Sequence, residues 1–222
     1  MTKSSQKKLI EKESKFCAEN YKPLPVVLCK GKGVWVWDTD GNKYLDMMSA
    51  YSAVSHGHSH PELIKVLHRQ SEVLGITSRA FYTDTLGAFL EKLVNISGLD
   101  IALPMNTGAE AVETAIKAAR RWAYKTKKVE ANKAEIIVAK GNFHGRTTTI
   151  ISFSTDEQSK EDFGPYTPGF VSIKYGCTES LKEAITKNTA AFLVEPIQGE
   201  AGIIIPEKEW LPEVRKVCTE NN

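Results

Sequence analysis

The stretch Glu135-Ile136-Ile137-Val138-Ala139-Lys140-Gly141-Asn142-Phe143-His144-Gly145-Arg146 decides the fold class. It opens on a β-branched run, which reads as a strand, and passes at once into a glycine-flanked loop carrying an aromatic ring, an imidazole and a guanidinium. The same succession recurs further along. Ala191 to Val194 reads as a buried strand and runs directly into Glu195-Pro196-Ile197-Gln198-Gly199-Glu200. Phe170 to Ile173 is a third such run, and Thr148 to Phe153, also β-branched, is expected to be strand as well. Between them lie helical segments. Ala109 to Tyr124 is rich in Ala, Glu, Lys and Arg, and Thr178 to Lys187 and Leu211 to Glu220 follow suit. Short apolar runs alternating with amphipathic helices, beginning at Ile101 to Met105, imply an α/β domain with a mostly parallel sheet and flanking helices.

The N-terminal part is different in style. Residues Ser4 to Glu19 suit a helix ending before Pro23 and Pro25. Val26 to Cys29, Val34 to Trp37 and Lys43 to Met47 then alternate apolar and polar residues, with Asp40-Gly41 as a hairpin signal between the last two. A small antiparallel segment over residues 1–50 is therefore expected ahead of the α/β part over 51–222. The final helix would normally lead into another strand, and Asn221-Asn222 stands where that strand is expected to begin. The architecture reads as cut in mid-unit.

Composition excludes several classes. The 222 residues include 29 basic and 27 acidic side chains, a net charge of +2, so neither nucleic acid nor an acidic membrane is implied as partner. Lys3, Lys7, Lys8, Lys12 and Lys15 are interleaved with Glu11 and Glu13, the pattern of a solvated helix rather than of a presequence or secretory signal. No apolar stretch approaches the roughly 20 residues of a membrane span. Cys17, Cys29, Cys177 and Cys218 are scattered, which argues against a disulfide framework or zinc site and suits the reducing cytoplasm.

Three motifs carry chemistry. Asn106-Thr107-Gly108-Ala109-Glu110 opens the long helix, where unpaired N–H groups and a partial positive charge suit a phosphate. Gly108 permits close backbone approach and Thr107 can add a hydroxyl, although an ordinary N-cap reads equally from these residues. In Asn142-Phe143-His144-Gly145-Arg146, Phe143 can lie against a flat heteroaromatic ring and Arg146 offers a planar fork for a carboxylate. Glu195 and Glu200 follow a buried strand at its C-terminal end, where ligands collect in open α/β sheets. They place negative charge near an amino-acid substrate or a mobile arginine, or are solvated loop residues. His56, His58 and His60 alternate, but no carboxylate or cysteine completes a ligand set, and a loop and N-cap before the helix from Pro61 is the better reading.

In this order the motifs resemble the class-III branch of the fold-type-I pyridoxal-phosphate aminotransferases, over about Asn20 to Asn222. Gly33-Val34-Trp35-Val36-Trp37-Asp38 and Gly57-His58-Ser59-His60-Pro61 match the family's early segments. Asn20-Tyr21-Lys22-Pro23-Leu24-Pro25-Val26, Ser49-Ala50-Tyr51-Ser52-Ala53-Val54, Thr77-Ser78-Arg79-Ala80-Phe81-Tyr82 and Phe163 to Phe170 resemble its ornithine-using members. Members acting on acetylornithine or 4-aminobutyrate are the alternative.

The resemblance implies pyridoxal 5'-phosphate as cofactor, ornithine and 2-oxoglutarate as substrates, and a homodimer. Gly108 and Ala109, helped by Thr107, would bind the cofactor phosphate. Phe143 would stack on the ring, with Glu195 near the ring's substituents. Arg146 would take a substrate carboxylate, Tyr21 and Tyr51 would shape the ornithine end, and Glu200 would pair with a switch arginine. His144 stands where the family usually has a bulkier aromatic. The lysine that would hold the cofactor covalently has no counterpart here and is expected beyond Asn222, so no catalytic residue is assigned. A non-catalytic fragment, or a structural half completed by another polypeptide, is the competing reading; either predicts exposed apolar surface.

Overall fold

The structure is a computed structural model and describes residues 3–222. The chain divides into two compact units, Met1–Lys92 and Leu93–Asn222. Among the described residues no helix is long and apolar enough to cross a membrane.

The first unit begins with α1 (Lys3–Phe16), followed by β1 (Leu28–Lys32), β2 (Trp35–Asp38) and β3 (Lys43–Leu45). These strands form an antiparallel sheet in the order β1-β2-β3. The β2–β3 turn is the one signalled by Asp40-Gly41, with Gly41 at φ +87°. Asp38 organises this turn. Its carboxylate accepts from the N–H groups of Asp40 and Asn42 at 2.9 and 2.8 Å, and from the Asn42 amide and Tyr44 hydroxyl, both at 2.8 Å. Gln6 on α1 donates to the carboxylates of Asp38 and Asp40 and accepts from Val27 N–H, so one amide ties helix, strand entry and turn together. Next come α2 (Pro61–Val73), with Pro61 in its first turn, and α3 (Leu86–Ser97), which crosses the boundary between the units. Sequence patterning did not single out α3. Neither α2 nor α3 buries a residue, and Leu63, Leu67, Phe89 and Ile96 are more than half exposed.

The second unit is the α/β layer structure. It contains α4 (Gly108–Lys125), β4 (Glu135–Ala139), α5 (Thr148–Ile151), β5 (Phe170–Ile173), α6 (Thr178–Ala184), β6 (Thr189–Leu193) and α7 (Trp210–Glu220). The three strands are parallel in the order β5-β4-β6, with β4 in the centre. Alternation along β4 distributes its side chains to the two faces. Ile137 joins Ile173, Leu181, Trp210, Val214 and Val217 beneath α6 and α7, whereas Ile136 and Val138 join Ile116, Ile150 and Phe153 beneath α4 and α5. An unbroken apolar strand is thus what a sheet covered on both faces requires.

Two expectations fail. Thr148 to Phe153 is not a strand: Thr147 caps it, its hydroxyl oxygen accepting the Ile150 N–H at 3.2 Å, and the run turns into α5. A local cap that satisfies an otherwise orphaned amide outweighs β-branched propensity in so short a segment. Ile101 to Met105 carries no regular structure, and Ile101 and Leu103 are exposed.

Candidate active site

The first motif closes the start of α4 by reciprocal capping. The Thr107 hydroxyl oxygen accepts from Glu110 N–H at 3.1 Å, while a Glu110 carboxylate oxygen accepts from the N–H groups of Thr107 and Asn106 at 3.2 and 2.9 Å. Ala111 N–H reaches the Thr107 carbonyl at 3.0 Å. The first-turn amides that donate to no described residue are those of Gly108 and Ala109. They are the donors a helix N-terminus offers to an anion. Thr107 is therefore an N-cap whose hydroxyl still has its proton to donate.

The second motif follows β4 and is pinned from beneath. Gly141, at φ +75°, donates to the Thr155 hydroxyl at 2.8 Å, and buried Asn142 donates through its side chain to the Ala139 carbonyl at 2.6 Å. Phe143 is left on the surface, 42% exposed. Gly145 sits at φ +125°, where a Cβ would come within 3.0 Å of the Ala109 Cβ, so the loop is packed directly on the start of α4. The Arg146 guanidinium lies 5.8 Å from the centre of the Phe143 ring, within cation–π range. His144 is turned inward, its ring 6.0 Å from Phe153 and its Nε2 buried with no hydrogen-bond partner among the described residues. Burial pushes the His144 imidazole below its ordinary pKa, against the opposing charge of Glu195, which favours the neutral ring.

The third motif supplies the tie between strands. One Glu195 oxygen accepts from Phe143 N–H at 3.0 Å and the other from Gly199 N–H at 3.3 Å. Tyr175, just past β5, donates to the Glu195 and Pro196 carbonyls at 3.3 and 3.0 Å. Burial, with the nearby Glu195 charge, holds that phenol protonated by raising its pKa. Gln198 is fully buried and donates to the Lys140 carbonyl at 2.8 Å, while its backbone pairs both ways with Ile204. The loops after β4, β5 and β6 are thereby joined at the C-terminal ends of the strands, on either side of the central strand where connections diverge.

Phe143, Arg146 and Glu200 line one pocket of about 360 Å³, together with His144, Asp156 and Ser159. Glu195 supports it through the Phe143 amide, and Ala109 abuts it through Gly145. Tyr21 and Tyr51 belong to the first unit, where both are exposed and Tyr51 occupies a left-handed turn. Tyr175 and Thr155, outside the three motifs, and Asn142 and Gln198, inside them but given no role by the sequence, hold the site together. Their partners are backbone atoms distant in the chain or created by the strand ends, and no spacing rule encodes them.

The class-III aminotransferase family model matches residues 16–222. An ornithine aminotransferase from Brevibacillus brevis is 60% identical over 214 residues, covering 96% of this chain and 54% of that protein. Ornithine aminotransferase from Toxoplasma gondii, crystallised with oxidised glutathione and carrying PLP at partial occupancy in its active site, superposes with a TM-score of 0.96 at 42% identity, over 98% of this chain and 51% of that one. An acetylornithine aminotransferase from Elizabethkingia anophelis gives 0.84 at 50% identity, over 98% and 53%. The chain spans about half the length of the curated relatives it matches. With its motifs gathered at the ends of a parallel sheet and the family pattern running along nearly its whole length, this chain belongs to the class-III aminotransferases.

Proposed function

We propose that this chain forms the phosphate-, ring- and substrate-contacting part of a pyridoxal 5'-phosphate-dependent aminotransferase that moves the δ-amino group of ornithine to 2-oxoglutarate, giving glutamate 5-semialdehyde and glutamate. The observation that carries the reading is the bond from Phe143 N–H to Glu195, which fastens the ring-facing loop to the motif bearing Glu200. The residues fit the cofactor on structural grounds. Gly108 and Ala109 present two unengaged N–H groups at the positive end of α4, and Gly145 keeps side-chain bulk away from that point. Phe143 offers an exposed face for a flat ring.

Bound there, pyridoxal phosphate supplies an electron-withdrawing ring that stabilises charge developing on the substrate carbon. The chain's own residues bind and orient. Arg146 takes a substrate carboxylate, and Glu200, which lines the same pocket, pairs with a switch arginine when no dicarboxylate is bound. Neutral His144 packs beneath the loop without adding a competing cation. Tyr21 and Tyr51 form the ornithine end, and we extend the proposal to a homodimer working in the cytoplasm.

Pyridoxamine 5'-phosphate, which needs no covalent anchor, tests the cradle. Equilibrium dialysis should show it held at least about tenfold more tightly than unphosphorylated pyridoxamine, since phosphate bonds to helix amides are charge-assisted. Equal retention of the two would refute the phosphate assignment. For the substrate, glutamate formation from 2-oxoglutarate by the full-length protein that supplies the cofactor lysine should depend on ornithine; dependence on N-acetylornithine alone would move the chain to the acetylornithine members.

A further inference from the structure

Four consecutive residues, Ser49, Ala50, Tyr51 and Ser52, have φ of +44, +48, +54 and +70° although none is glycine. L-residues avoid this region because Cβ crowds the following carbonyl oxygen, and runs of them are rarer than isolated cases. The turn has hydrogen bonds of its own, from Tyr51 N–H to Met48 O, Ala53 N–H to Ala50 O and Val54 N–H to Ser49 O, each at 3.1 Å. A right-handed turn would offer equivalent bonds without the strain, so the surroundings must select this hand.

The selecting contact is visible. One Asp46 carboxylate oxygen accepts from the N–H groups of Met48 and Ser49 at 3.0 and 2.8 Å, fixing the entry to the turn. The other lies 2.6 Å from His58 Nε2. Both partners are anchored to the antiparallel sheet. Asp46 N–H binds the Val34 carbonyl at 2.9 Å, and His58 exchanges backbone bonds with Gly33 at 2.8 and 2.9 Å. The His58 ring covers Gly31 so closely that a Cβ there would fall 2.7 Å from it. The hydrogen bond from His58 is also the chief reason the Asp46 carboxyl titrates below its ordinary range. What this arrangement presents is Tyr51, 72% exposed at the crest of the strained turn.

We propose that Asp46 and His58 are positioning residues, which lock the left-handed turn and so present the Tyr51 ring in one orientation to the substrate. The substrate side of this inference rests on the ornithine reading; the lock itself does not.

Amide exchange and ¹³C-tyrosine NMR on the 222-residue chain separate the two. In Asp46→Ala, exchange at Met48 and Ser49 should accelerate by about tenfold, the loss of one net hydrogen bond each, and the Tyr51 ring signal should move toward its unfolded position. Trp37 and Tyr44 amides in the hairpin should stay protected. Asp46→Asn keeps an oxygen for the two amides and should return exchange to within about threefold of the parent. Should Asp46→Ala lose hairpin protection altogether, His58→Phe decides, since it keeps ring bulk over Gly31 and removes only the bond to Asp46; it should loosen Met48, Ser49 and Tyr51 together. Parent-like exchange and an unmoved Tyr51 signal, with the hairpin intact, overturn the proposal. Introduced into the full-length protein that supplies the cofactor lysine, the variants with a loosened turn should raise KM for ornithine more than they lower kcat. An unchanged KM despite a loosened turn would remove Tyr51 from the ornithine pocket and leave the lock standing.

Discussion

In the unit ending at Lys92, Val36 is the buried apolar side chain among the described residues, and buried Asp38 gathers four hydrogen bonds from its own turn. In the unit from Leu93, two apolar clusters sandwich β4, and side-chain polar contacts tie the loops at the strand ends and neighbouring helices, as Thr178 to Glu213 does between α6 and α7. The first region is specified by directed bonds to two carboxylates, Asp38 and Asp46. The second is specified by area removed from water. Directed bonds can hold a strained backbone in place, as at Ser49 to Ser52, because they fix angles as well as distances. Apolar burial is indifferent to such detail but makes a rigid platform from which short polar loops can be aimed.

The comparison breaks most visibly at Trp210. Its indole is 4% exposed and packs edge-on against Tyr175 at 4.7 Å and near Phe192 at 6.4 Å. Trp210→Ala should cost about 3–5 kcal/mol, read as a lowered urea midpoint with unchanged slope. A loss under 1 kcal/mol, roughly that of a surface change, would mean that burial does not dominate the second unit.

Gly145→Ala should come next, at about 1–3 kcal/mol, because it combines positive φ with a contact on Ala109. It should also weaken pyridoxamine 5'-phosphate binding. Gly176→Ala is the control: φ is +74° but nothing lies within 4 Å of the added methyl, so stability alone should fall and binding should not. Thr107→Ala removes half of the capping box and should cost about 1 kcal/mol by thermal melting.

Acid is the mildest perturbation and acts on the first unit. Burial pushes the Asp38 carboxyl up, but hydrogen bonds from Asn42, Tyr44 and Asp40 outweigh it and bring the pKa from 3.8 to about 2. A depressed folded-state pKa stabilises above the unfolded value, and that contribution is lost as pH falls from about 4 through about 2. Hairpin tryptophan fluorescence should report a destabilisation in that window that Asp38→Asn lacks. An identical profile in the variant would assign the transition to other carboxylates.

Much of the fold could be read from local pattern. β4 and β5 appear at Glu135–Ala139 and Phe170–Ile173 as expected, because strands covered on both faces are continuously apolar. The Asp40-Gly41 hairpin was legible because a positive φ selects glycine. Thr148 to Phe153 misled because a one-residue cap decided its state, and α3 was missed although its half-buried positions, Leu86, Leu90, Leu93 and Val94, recur at helical spacing. The site motifs were visible as residue types, while the contacts that join them, Glu195 to Phe143 and Gln198 to Lys140, cross more than fifty positions of chain.

Residue order by itself determined the strand and helix rhythm, the chemical character of the three motifs and the family pattern, since each depends on neighbours within a few positions. Only the tertiary structure decided that Glu195 grips the Phe143 backbone, that His144 faces inward, and that Asp46 and His58 hold a left-handed turn. Those outcomes depend on which backbone donors and acceptors remain unpaired after the sheets form, and pairing across the sheet is a long-range property.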